Sequence, residues 1–129
     1  MKFTGVEIGF LESNELGRLA TTSNEGMPHV VPVSYVLQNG SILIATDYET
    51  KKYRNIVAND AVAFLVDITK PNRGILIQGR AKIFERGRDF QEMYKVFHKK
   101  FGWVRADPWK EGEAPFVRIE PVKKTSWGL

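Results

Sequence analysis

A chain of 129 residues with net charge +4 and no cysteine is long enough for one packed core, and it excludes a disulfide framework, a thiolate metal site and a cysteine nucleophile. Hydrophobic residues make up 43% and charged residues 26%, the balance of an ordinary globular domain, so disorder is set aside and residues 1–129 read as a single domain. The longest apolar run, Ala61 to Val66, is far too short to span a bilayer and Met1 to Phe10 carries no signal-like stretch, so a cytoplasmic protein with no membrane partner is expected.

Val6, Ile8, Phe10 and Leu11 gather on one side at helical spacing, which predicts a short helix within 6–15 despite Gly9. The period then changes. "LGRLATTS" (16–23) and "PHVVPVSYVLQ" (28–38) are rich in β-branched residues and are separated by a Gly26 turn, and Asn39-Gly40 is a strong hairpin signal leading into a third strand, "SILIATD". Thr50 is a suitable N-cap for a helix in which Tyr53, Ile56 and Val57 share a face, ending near Asn59.

"AVAFLVDI" (61–68) reads as a central strand buried on both faces, and "ILIQGRAKIFE" as a fifth strand whose Gly79 marks a bulge or a close backbone approach. Phe90, Met93, Tyr94, Phe97 and Phe101 form the clearest helical stripe in the chain. "GWVRADPWKEGE" reads as loop or a single turn, and "APFVRIEPVKKTSWGL" as one or two strands broken at Pro121. About six strands in meander order with two or three inserted helices predict an α+β fold on an antiparallel sheet, which with a single small core would curl into a barrel.

The stretch "TDYETKKYRNI" carries the most chemical information. Lys51, Lys52 and Arg54 enter a helix at its N-terminus, where partial positive charge and free N–H groups make cations unfavourable unless an anion is present. Together with the hydroxyls of Thr46 and Thr50, this donor set suits a phosphate; a solvated charge run behind an N-cap is the plainer alternative. His29 and His98 are the only histidines and lack partners at metal-ligand spacing, so no metal is expected. Trp103, Trp109 and Trp127 are dispersed rather than alternating among basic residues, which argues against a nucleic-acid platform. No carboxylate pair or nucleophile motif appears, and no catalytic residue is assigned.

The segments "LGRLATTSNEGMPHVVPVSYV", "ILIATDYETKKYRNIVANDAVAFLVD", "GILIQGRAKIF" and "VRIEPVKKTSW" together resemble the pyridoxamine 5'-phosphate oxidase-like flavin-binding family. The resemblance implies a six-stranded antiparallel split β-barrel that forms a homodimer with FMN at the interface. It places Thr46, Thr50, Lys51 and Lys52 at the cofactor phosphate, and Val31, Pro32, Val33 and Ser34 beside the ring. Arg18, in "RLAT", would lie alongside, Gln78 would reach the ring from the partner chain, Trp127 would pass near the cofactor, and the loop with Trp103 and Trp109 would wall the substrate space.

The implied activity is hydride transfer between a reduced donor and a small-molecule substrate, with a non-catalytic flavin carrier or sensor as the other reading. True oxidases of the family carry Arg and Lys where this chain has Val31 and Val36, and a C-terminal Arg/His signature missing here, so vitamin B6 oxidation does not carry over. "KYRNI" also resembles the branch that uses the deazaflavin F420, which leaves FMN and F420 as alternatives.

Overall fold

The computed structural model describes residues 1–129. Helix α1 (Gly5–Glu12) leads into β1 (Leu16–Thr22), β2 (Pro28–Gln38) and β3 (Ser41–Ala45); α2 (Lys51–Ala58) precedes β4 (Ala61–Thr69) and β5 (Asn72–Phe84); α3 (Gly87–Lys100) and α4 (Gly102–Ala106) precede β6 (Phe116–Trp127). The strands pair antiparallel and close into a barrel in the order β1-β2-β3-β6-β5-β4. The Asn39-Gly40 turn has both residues at positive φ, 51° and 77°, the geometry a tight two-residue hairpin requires.

Leu19, Val33, Tyr35, Ile44, Phe64, Ile75 and Ile119 fill the barrel interior. A second cluster lies outside it, where Phe90, Met93 and Phe97 of α3 pack on Val36, Leu43 and Phe116. The helical stripe read from the sequence therefore covers β2, β3, β6 and the Phe84 end of β5 and leaves the outer faces of β1, β4 and the rest of β5 without a helix.

Three sequence expectations change. First, β4 is not buried on both faces: Val62, Phe64 and Val66 point inward, while Ala61, Ala63 and Leu65 lie half-exposed on the uncovered outer face. Second, β6 runs unbroken through Pro121, because the ladder shifts register between Gln78 and Gly79 opposite it. A bulge leaves one residue unpaired, so the missing N–H of a proline costs little there. A β-carbon on Gly79 would stand 2.2 Å from the Glu120 carbonyl oxygen, so the bulge and the close approach occur together. Third, there are four helices, since "GWVRA" closes one more turn as α4.

Helix α1 is pinned at both ends. Thr4 and Glu7 form a capping box, and the buried Tyr35 hydroxyl donates to the Leu11 carbonyl at 2.5 Å. Burial works to raise the Glu7 carboxyl pKa, but hydrogen bonds from Lys124, the Thr4 amide and Ser126 outweigh it and hold the carboxyl below its ordinary value. A carboxyl with a depressed folded pKa contributes stability that is present above its unfolded value and is lost as pH falls through the folded one. Glu7→Gln should therefore lower stability at neutral pH, and the gap from wild type in urea unfolding should shrink as pH drops below the ordinary value of 4.5. A gap independent of pH would assign the loss to packing. No helix is long and apolar enough to cross a membrane.

Candidate functional site

The stretch that carried excess cations forms a junction between β3 and α2. Thr46, only 6% exposed at the end of β3, places its hydroxyl 3.0 Å from that of Thr50, the N-cap of α2. The Thr50 oxygen accepts from the Tyr53 amide at 3.3 Å and donates to the Asp47 carbonyl at 2.8 Å, which bends the chain into the helix. The amides of Lys51 and Lys52 make no hydrogen bond within the chain, and α2 has no acidic residue in its first turn. Asn55, buried on the inner face of α2, donates to Thr21 at 3.0 Å and ties the helix to β1.

The two lysines differ. Lys51 is exposed, whereas Lys52 is half-buried, and burial pushes its pKa down against the opposing pull of the Asp47 carboxylate. An ammonium kept partly from water gains from a second anion, while Asp47 already supplies one and weakens the pull on another. Arg54 turns away and donates to the Glu49 carbonyl at 3.1 Å, closing the loop before the helix.

Beside this junction runs an open strand edge. Strand β3 pairs with β2 only from Tyr35 to Gln38, so Pro28 to Val33 have β1 on one side and no strand on the other. Extending the β2–β3 register sets Thr46 beside Val33. Pro28 and Pro32 cannot donate to the β1 ladder, so by strand alternation the backbone groups of Val30 and the Pro32 carbonyl face the free edge. The side chains of Val31 and Val33 pack into the barrel core, leaving Pro32 and Ser34 on the outer face.

That outer face also holds Arg18, Gln78 and Trp127. Arg18 pairs with Asp67 at 2.6 Å on β4, and Gln78 stands beside Ala63 in the sheet. Trp127 lies against Gly74, where a β-carbon would meet its indole at 2.2 Å. It sits at the far end of β6 from Phe116, roughly 35 Å of strand from the Thr46 junction. One chain thus brings Thr46, Thr50, Lys51 and Lys52 together beside the β2 edge and keeps Gln78 and Trp127 apart from them. Gly74→Ala is expected to displace the indole, read as a red shift in tryptophan emission with the far-ultraviolet circular dichroism unchanged; an unmoved emission would show that the contact yields elsewhere.

On the β6 side of Thr46, whose amide donates to the Pro115 carbonyl at 3.2 Å, a cavity of about 290 Å³ opens toward α4. Thr46, Asp47 and Lys52 line it together with Trp103, Asp107, Trp109 and Glu113. The family resemblance set the loop of Trp103 and Trp109 at the wall of the substrate space, and both indoles line this cavity, whereas Asp107 and Glu113 carried no signal of their own. His98 is exposed and stacks on Tyr94, His29 is half-buried in β2, and no cluster of three metal-ligating side chains exists.

Residues 9–127 match the family described as pyridoxamine 5'-phosphate oxidase. The chain belongs to that family. It is also 40% identical over 96 residues to a 5a,11a-dehydrotetracycline/5a,11a-dehydrooxytetracycline reductase of Streptomyces rimosus, a match covering 67% of this chain and 68% of that protein. Among solved structures, the heme storage protein HutZ of Vibrio cholerae superposes with a TM-score of 0.82 at 15% identity, covering 97% of this chain and 94% of that one. An F420 reductase superposes with a TM-score of 0.70 at 22% identity, covering 91% and 94%. At such identities these two likenesses establish the split-barrel fold. In this member of the pyridoxamine 5'-phosphate oxidase family, Val31 and Val36 are packing residues, one turned into the barrel and the other beneath α3.

Proposed function

We propose that this chain is a cytoplasmic oxidoreductase acting on a small molecule, working as a homodimer that binds FMN, or alternatively F420, at its interface. The observation that carries the reading is the convergence of two threonine hydroxyls, two unpaired helix amides and a half-buried ammonium beside an unpaired strand edge. That donor set fits a phosphate monoester or diester, and both cofactors present a phosphate; the Asp47 carboxylate works against it.

In this reading Thr46, Thr50 and Lys52 hold the phosphate and Lys51 adds charge at its rim. The β2 edge from Val30 to Ser34 would supply backbone groups to the ring. When bound, the cofactor supplies hydride chemistry; the chain binds and orients it and leaves one ring face for substrate. A second copy supports the scheme because Gln78 and Trp127 stand on a face that no helix covers, where Leu16, Val30 and Pro32 are exposed and Leu65 and Leu76 half-exposed. Brought from the partner, they would approach a cofactor anchored at the Thr46 junction, from which the β6 register keeps them apart within one chain.

The test is a calorimetric titration with FMN, riboflavin and F420, followed by mixing the loaded protein with NAD(P)H or, for F420, an F420-reducing system. FMN binding well ahead of riboflavin supports the cradle, and equal affinity would overturn it. Binding of F420 but not FMN selects the deazaflavin alternative. Bound cofactor that exchanges no hydride with any donor or acceptor would leave the carrier reading in place of the enzyme.

A further inference from the structure

The cavity between β3 and the α4–β6 connection has a composition of its own. Trp103 and Trp109 stack 6.1 Å apart with their planes 7° from parallel, and Trp103 keeps 45% of its surface exposed. Three carboxylates, Asp47, Asp107 and Glu113, line the cavity against a single ammonium, Lys52. Glu113 accepts the Lys110 amide at 2.6 Å through one oxygen, which fixes the side chain and leaves the other oxygen free. The indole nitrogen of Trp109 is buried with no acceptor in the chain.

We infer that this cavity binds a small organic cation, a substituted ammonium group. Indole faces present negative potential to a cation, and desolvation strengthens that attraction. The carboxylate excess draws the same charge. Lys52 loses part of its hydration at the same cavity, which indicates that water screens these charges incompletely there. The volume of about 290 Å³, at the lower end for small-molecule sites, suits a small ligand rather than a polymer. Because Thr46, Asp47 and Lys52 are shared, the cation lies next to the phosphate cradle; its recognition by the indoles and carboxylates stands whether or not a cofactor binds.

The experiment uses choline and its neutral isostere, in which a quaternary carbon replaces the nitrogen, titrated against tryptophan fluorescence of the intact protein. Choline is expected to bind at least about tenfold tighter than the isostere, with the preference reduced in high salt. The double variant Asp107→Asn/Glu113→Gln keeps the size and hydrogen-bonding reach of both side chains and should bring the two ligands within about twofold of each other. Trp103→Leu should weaken choline at least about fivefold, with folding checked by circular dichroism. Equal binding of choline and isostere, no saturable choline binding, or an undiminished preference in the carboxamide variant would each overturn the inference.

Discussion

Replacing Lys52 with alanine is expected to weaken FMN binding by about 10- to 100-fold while leaving riboflavin affinity within about twofold, because a charge-assisted bond contributes roughly 1.5–3 kcal/mol. The size follows from placement. Lys52 is half-buried beside Thr46 and already carries a pKa lowered by lost hydration, so it gains more from a phosphate than a fully solvated ammonium would. Lys51, one position along, is exposed, and Lys51→Ala should cost no more than about fivefold, in line with a screened surface contact. Salt should separate them further, since the Lys51 contribution fades at high ionic strength and most of the Lys52 contribution persists. Losses that are equal in the two variants, or a parallel loss of riboflavin affinity, would remove the phosphate from this junction.

How far the sequence revealed this arrangement depends on whether each feature was local. Thr50 as the cap of α2, the Asn39-Gly40 turn, the α3 stripe and the Gly79 bulge all follow from the chemistry of a few neighbouring residues, and each stands where the sequence placed it. The errors are of another kind. "AVAFLVDI" is apolar at nearly every position, so periodicity could not separate a strand covered on both sides from one with an uncovered outer face. Pro121 read as a break because the residue opposite it, forty-odd positions away, was not visible in the local pattern.

The candidate site divides along the same line. Thr46, Thr50, Lys51 and Lys52 are six positions apart at most and could be read together. The direction of Val33, inward among core residues, depends on which face the barrel closes over. The stacking of Trp103 on Trp109 depends on the single turn of α4, which brings an otherwise unremarkable loop back against the end of β3.

Barrel closure itself offers the largest expected effect on stability. The β1–β4 seam is the shortest pairing in the barrel, three residue pairs from Arg18–Leu65 to Ala20–Ala63. Just inside it the Phe64 ring, fully buried and packed edge-on against Tyr35 at 5.1 Å, points its tip at Gly17. A β-carbon on Gly17 would fall 2.1 Å from the Phe64 Cζ, so the glycine is there to make room for the ring.

Gly17→Ala should therefore destabilise by about 2–3 kcal/mol through overpacking, and Phe64→Ala by about 3–5 kcal/mol through the cavity it leaves. The decisive measurement is the pair Gly17→Ala with Phe64→Leu. Leucine retracts the atoms that clash, so the double variant in urea unfolding should be more stable than the sum of the single losses by at least about 1 kcal/mol. Strict additivity would mean that the strand, not the ring, gives way to the new methyl group. In that case the seam next to Arg18 would be compliant, and the outer face proposed as the dimer contact would lose the rigid support that the proposed cofactor site requires.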